Sequence, residues 1–235
     1  MYVLKNYQQI LDSRKKLESK RLSFLQNYYL CELVRILKLP INVFSAFNKS
    51  WDYHCTFNFI EKNLSFNCKI LDVGCLQSEI LPILKKAGYL DVYGIDLDPK
   101  ISRMPYQSDI KYYVENFFNN SFKDNFFDCL TCLSVIEHGF DEVSFFSQFS
   151  RILKPGGFLI LSFDYWYKKI QTDNIEMFGM DWRIFSKEEV LKIIINAKKK
   201  YRLELVGHPN FYCNNKVINC AGKDYTFLWL VFKKK

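Results

Sequence analysis

Between residues 5 and 38, Leu11, Leu17, Leu25, Tyr29, Leu33, Ile36 and Leu37 recur at three- and four-residue intervals or their multiples, with charges between them. That spacing predicts one apolar helix face, and Pro40 ends the pattern. A second helix is predicted over 50–63, before the break NLSFN. From residue 68 the pattern changes to short apolar runs alternating with helical segments. CKILDVG is a strand and 79–87 a helix; DVYGID and IKYYVE are strands; FDCLTCLS is a strand and 141–153 a helix. GFLILSFD, a helix over 186–199, YRLELVG and TFLWLVFKK complete the series. Such alternation predicts a largely parallel sheet covered on both faces. The last two strands have no helix-sized amphipathic connection, so they are expected to pair antiparallel.

Composition narrows the class. The chain has 235 residues, 49% of them hydrophobic, with 9 Gly and 6 Pro. That is enough for one α/β domain with a modest appendage, and it excludes a disordered chain. The net charge of +8 suits acidic substrates or nucleic acid. However, the basic runs at 13–21, 198–200 and 233–235 read as solvated faces, and no nucleic-acid signature accompanies them, so no nucleic-acid partner is expected. The eight Cys at 31, 55, 68, 75, 129, 132, 213 and 220 fall partly in apolar runs, where free Cys acts as a small hydrophobe. Cys129 and Cys132 point to opposite faces of a strand, which argues against a metal site. The first thirty residues lack an apolar signal-peptide region, and no apolar run is long enough to span a bilayer. A cytoplasmic location with reduced thiols is the expectation.

In open α/β sheets the ligand binds beyond the carboxyl ends of the strands. Here those ends read DVGC, GIDLD, VEN, CLSVIEHG and SFDYW. Asp96 lies twenty-two positions after Gly74, where an acidic side chain can accept hydrogen bonds from both hydroxyls of a ribose.

ILDVGC, YGIDLD, FKDNFFDCLTCLSVIEHG and RILKPGG before a strand together resemble the class I S-adenosylmethionine-dependent methyltransferases, over about residues 65–235. DVGC-x-x-S, S-x-IEHG and SFDYW further resemble a branch associated with surface-glycan and specialised biosynthesis. The resemblance implies a Rossmann-like, doubly wound, mostly parallel seven-stranded sheet with an antiparallel last strand, plus N-terminal helices. It divides the chain into a helical lid or extension over 1–64 and a cofactor-binding domain over 65–235. It implies S-adenosyl-L-methionine as cofactor, with Asp72 and Gly74 beside the methionine part and Cys75 presenting backbone. Asp96 would hold the ribose, Leu97 and Phe117 the adenine faces, Asn116 the adenine amino group, and Ser134 the methionine end. KPGG would be a helix end and tight turn.

The chain departs from the family at its first turn, where Leu76 and Ser78 replace glycines. Ser78 is expected to N-cap the next helix. The turn is rebuilt rather than lost, and the G-x-G-x-x-G spacing of a dehydrogenase is absent. His138, beside Glu137, is the first candidate base and Asp164 the second, with Tyr165 and Trp166 as candidate acceptor-pocket walls. His54, in WDYH, lies on a helix face expected to pack. The readings are O-methylation of a small-molecule acceptor (a sugar, sugar nucleotide or phosphorylated metabolite), an inactive scaffold on the same fold, or RNA or protein methylation. The N-terminal helix is expected to serve as lid or homodimer face.

Overall fold

A computed structural model of the protein describes residues 1–23, 36–37 and 47–235. The helical pattern predicted through Leu25, Tyr29 and Leu33, its end at Pro40, and Cys31 lie outside the described residues. The chain forms two compact units, Gln8–Phe117 and Met1–Tyr7 with Phe118–Lys235. In chain order the first elements are β1 (Tyr2–Val3), α1 (Tyr7–Ser19), α2 (Ser50–Asn63), β2 (Lys69–Val73), α3 (Ile80–Lys86), β3 (Asp91–Asp96) and β4 (Ile110–Val114).

In the Gln8–Phe117 unit, β2, β3 and β4 pair in parallel in that order, as the strand–helix alternation predicts. The helix predicted over 5–38 instead breaks after Ser19. Arg21 takes φ 57°, its N–H reaches the Glu18 carbonyl at 2.8 Å, and the Leu22 N–H reaches Leu17 at 2.8 Å. These are the paired bonds of a Schellman terminus, and buried Leu17 and Leu22 supply its apolar contact. No glycine marks the stop, so periodicity alone overshoots it.

The basic run 13–21 is not all solvated face. Arg14 is 2% exposed and grips Glu79 with Nη1 to Oε1 at 3.1 Å and Nη2 to Oε2 at 2.8 Å. Its Nε donates to Ser50 Oγ at 3.1 Å, and Ser23 Oγ accepts from Nη1. The buried Tyr53 hydroxyl meets the Glu79 backbone. Thus α1 and α2 both fasten the segment that enters α3.

The other unit holds β5 (Phe127–Leu133), α4 (Glu142–Ile152), β6 (Leu153–Trp166), β7 (Glu176–Met177), β8 (Met180–Asp181), β9 (Phe185–Ser186), α5 (Lys187–Tyr201), β10 (Leu203–Leu205), β11 (Ile218–Cys220) and β12 (Lys223–Lys234). β6 pairs in parallel with β5 and β9 and antiparallel with β12. β12 also takes β1, β10 and β11 antiparallel, so the expected antiparallel pairing of the last two strands is present. The short strands β1, β7, β8, β9 and β11 are additions that the apolar pattern is too brief to signal. KPGG is a bulge inside β6 rather than a turn before it, for the register passes from Phe127↔Leu153 to Cys129↔Phe158. Gly156 sits there at φ 81°. A Cβ at Gly157 would lie 2.9 Å from the Asp128 carbonyl. α5 begins with a capping box, Glu189 N–H to Ser186 Oγ at 3.3 Å and Ser186 N–H to Glu189 Oε2 at 2.7 Å. In the terminal KKK, Lys234 Nζ donates to the Ser150 and Leu153 carbonyls where α4 ends. Among the described residues no helix is long and apolar enough to cross a membrane.

Two predictions follow from the Gln8–Phe117 unit. Arg14→Met strands Glu79 in the interior and is expected to lower stability by about 3–5 kcal/mol, whereas Arg14→Met with Glu79→Leu recovers most of it; urea unfolding of both variants checks this. Burial, with Lys16 and Lys20 adding, pushes the His54 imidazole down to about 4 from its ordinary value of 6.5. Its stabilising effect is therefore complete above about pH 6.5 and lost as pH falls toward about 4, because the unfolded chain binds the proton first. His54→Gln is expected to flatten the stability–pH curve in that window.

Candidate functional site

The first turn answers the missing glycines. β2 ends at Val73, and Gly74 takes φ 71°, a left-handed conformation that a Cβ disfavours. The Gly74 and Cys75 N–H groups both turn to the Ile95 carbonyl, at 2.9 and 3.3 Å. Leu76 needs no glycine, because the second left-handed position is Gln77, at φ 61°. The Leu76 N–H donates to Asp96 Oδ2 at 2.9 Å. Ser78 does not cap α3: Glu79 is the N-cap, in helical conformation and without a side-chain capping bond. The Ser78 N–H instead closes the turn on the Cys75 carbonyl at 3.0 Å. Glu79's carboxylate, which would otherwise sit at the helix start, is taken by Arg14.

Asp96, at the end of β3, is held from two sides. Oδ2 accepts from Leu76 and Oδ1 from the Asp98 N–H at 3.0 Å. A carboxylate has about four acceptor positions, so both oxygens keep capacity for a second donor while their orientation is set. Asp96 is half-buried, and Leu97 beside it is 62% exposed. Gly94, two residues earlier, has no room for a side chain: a Cβ would come within 2.7 Å of Cys75 Sγ and Leu81 Cδ1. Cys75 is buried, and burial, then the Asp72 and Asp96 charges, raises its thiol well above the usual range. It acts as packing and backbone, not as nucleophile. Asp72 is fully buried at the end of β2, and its charge, after burial, raises the Tyr53 and Tyr112 hydroxyls. The Glu115 N–H bonds the Asp96 carbonyl at 3.1 Å, which brings exposed Asn116 and buried Phe117 to follow β4 next to the end of β3. Asp72, Gly74, Cys75, Asp96, Leu97, Asn116 and Phe117 thus gather at the carboxyl ends of three parallel strands.

A second cluster lies in the Phe118–Lys235 part. Ser134, just past β5, has φ 57° and donates its N–H to the Ser162 carbonyl at 2.9 Å. The loop after it runs beside the β8 segment: Gly139 N–H to Asp181 O at 2.8 Å, Arg183 N–H to Glu137 O at 2.8 Å, and a bridge between His138 and Trp182. Trp182 then reaches Asp164, Nε1 to Oδ2 at 2.8 Å. The Tyr225 hydroxyl also meets Asp164, its own ionisation raised by burial and then by the Asp164, Cys220 and Glu137 charges. Asp164 is only 4% exposed, and Trp182 joins it to His138. Neither Trp182 nor Tyr225 was among the expected site residues, although Trp182 opens WRIFSKEEVLKIIINA, a stretch that resembles the family's lead into its final helix.

The pleat separates the residues of SFDYW, because successive side chains point to opposite faces. Tyr165 therefore faces away from Asp164; it is fully buried and its hydroxyl donates to the Phe211 carbonyl at 3.3 Å. Trp166 is half-buried, with Lys216 Nζ 5.2 Å from its ring centroid.

An acidic residue held over the first strand's turn is the arrangement with which Rossmann-like α/β folds bind a ribose. A family profile described as "Methyltransferase domain" matches residues 71–161. The chain is 32% identical over 119 residues to a ubiquinone biosynthesis O-methyltransferase of Haemophilus ducreyi, covering 45% of this chain and 50% of that one. It is 26% identical over 146 residues to the Aliivibrio fischeri enzyme of the same name, covering 58% of each. The chain thus spans less than two thirds of the length of these curated relatives. The crystal structure of a SAM-dependent methyltransferase from Methanosarcina mazei shares the fold at TM-score 0.56 and 19% identity, over 75% of this chain and 96% of that one. Residues 71–161 thus match a methyltransferase domain, and the chain shares the fold of a solved SAM-dependent methyltransferase.

Asp96→Ala removes charge-assisted hydrogen bonds worth about 1.5–3 kcal/mol each. It is expected to weaken S-adenosylhomocysteine binding by at least tenfold in calorimetry. Gly94→Ala is expected to cost about 1–3 kcal/mol of stability through overpacking against Cys75 and Leu81, read in urea unfolding.

Proposed function

We propose that this chain is an S-adenosylmethionine-dependent O-methyltransferase acting on a hydroxyl of a small molecule. The observation that carries the reading is the Asp96 carboxylate, fixed by the Leu76 and Asp98 N–H groups and facing a turn that needs only one glycine. Oxygen as the acceptor atom is favoured by the relatives, which are named ubiquinone biosynthesis O-methyltransferases.

When bound, S-adenosylmethionine supplies an activated methyl group on a sulfonium. Asp96 would accept from both ribose hydroxyls and so orient the nucleoside. Gly74 lets the β2–α3 turn come close to the ligand. Ser134, in its left-handed conformation, turns the chain at the end of β5. His138 takes the proton that the acceptor hydroxyl gives up as its oxygen is methylated. Asp164, buried and bonded by Trp182 and Tyr225, is a positioning group: it fixes Trp182, and through the His138–Trp182 bridge the base. Trp166 is available to the acceptor, whereas Tyr165 packs the opposite face.

Calorimetry with S-adenosylhomocysteine, followed by methyl-transfer assays on phenols, sugar nucleotides and phosphorylated metabolites, tests the reading. Micromolar binding is expected. His138→Ala is expected to keep that affinity and lose about 10²–10⁴-fold in kcat. No binding at millimolar ligand, in the natural chain or in Leu76→Gly, would make the protein a scaffold on a methyltransferase fold.

A further inference from the structure

The hairpin beside His138 carries a residue that its own turn disfavours. β7 and β8 pair with Met177 opposite Met180, which leaves Phe178 and Gly179 as a two-residue loop. Their φ angles are 58° and 73°. Two positive φ values mark a type I′ turn, for which Asn-Gly is the preferred pair. Gly179 satisfies the rule; Phe178 violates it, since a bulky aromatic in the left-handed region is strained. Nor does packing explain the choice, because Phe178 is 83% exposed. Folding gains little from this ring and is opposed by its backbone.

The ring's position is specific. Its centroid lies 5.0 Å from that of His138, with the two planes at 87°. The hairpin is tied to the His138 loop by the Gly139 N–H to Asp181 bond and by the His138–Trp182 bridge. At Gly139 a Cβ would come 3.3 Å from Met180 Sδ, so the loop and the hairpin lie in close contact. Strain tolerated at an exposed aromatic beside a candidate base is the pattern of a functional residue rather than a structural one.

We propose that Phe178 is a specificity residue, gripping an apolar group of the acceptor while the neighbouring hydroxyl faces His138. The acceptor class is then a phenol or similar hydroxyl compound with an apolar substituent, not a free sugar. This rests on the methyltransferase reading and selects among its acceptors.

The test compares phenol, 4-butylphenol and a sugar nucleotide in methyl-transfer assays, for the natural chain and Phe178→Asn. The natural chain is expected to prefer 4-butylphenol over phenol by about tenfold or more in kcat/KM, the scale of a few methylenes in an apolar site. Phe178→Asn is expected to bring that ratio near one through KM and to keep or raise Tm, since Asn-Gly suits the turn. A structural residue would do the reverse, lowering Tm without moving the ratio, and that result overturns the proposal. So does a preference of the natural chain for the sugar nucleotide, a ratio near one in the natural chain, or S-adenosylhomocysteine binding with no phenol methylated. Absence of S-adenosylhomocysteine binding refutes the methyltransferase reading instead.

Discussion

Removing a guanidinium and a carboxylate from water costs several kcal/mol per ion, and the interior returns it only when geometry and extra hydrogen bonds are good. Arg14 and Glu79 meet that condition with a two-pronged contact, a third bond to Ser50 and near-complete burial. The pair matters because of where Glu79 sits, at the end of a turn that has given up its usual glycines. Leu76 is anchored to Asp96 at one end of that turn and Glu79 to Arg14 at the other, so Gln77 is held at positive φ by its flanks. Family members commonly rely on glycine freedom at this place; here side-chain anchors from an N-terminal helix do the same task. The β2–α3 turn of this chain therefore depends on Arg14 and Ser50, which precede it in sequence.

The second cluster rests on one indole. Trp182 gives its N–H to Asp164 at the end of β6 and pairs its backbone with His138 after β5. Two side chains that the motifs suggest as alternative bases are thereby linked in series, and their different settings separate their roles. Asp164 is enclosed and already accepts from Trp182; His138 is half-buried, with its ring against the hairpin tip.

Most of the strand and helix series was legible, because the runs that form β2 to β6 and β12 are long enough to show their period, and because strand-end residues such as Asp96 and His138 stand out against apolar neighbours. What was not legible depends on contacts distant in sequence or on residues of the wrong type. Arg14 reads as surface charge until its partner, sixty-five residues later, is known. The end of α1 uses Arg21 where a glycine would have announced it. Ser78 looks like a cap, but the helix begins two residues further on. The helix predicted over 186–199 is present as α5, started by the Ser186–Glu189 capping box. No period or motif points to Trp182 as the partner of Asp164, eighteen residues before it.

The first strand of the chain has a temporal consequence. Tyr2 and Val3 pair with Trp229 and Leu228, Tyr2 stacks on Trp229, and Thr226 Oγ1 donates to the Leu4 carbonyl across 222 positions of sequence. During synthesis at about 5–20 residues per second, Tyr2 and Val3 have no strand to join until Leu228 and Trp229 leave the ribosome. The outer edge of β12 is consequently closed only after translation of that strand, so the step that seals it belongs to late folding, with the slow loop closure that such long-range pairing carries.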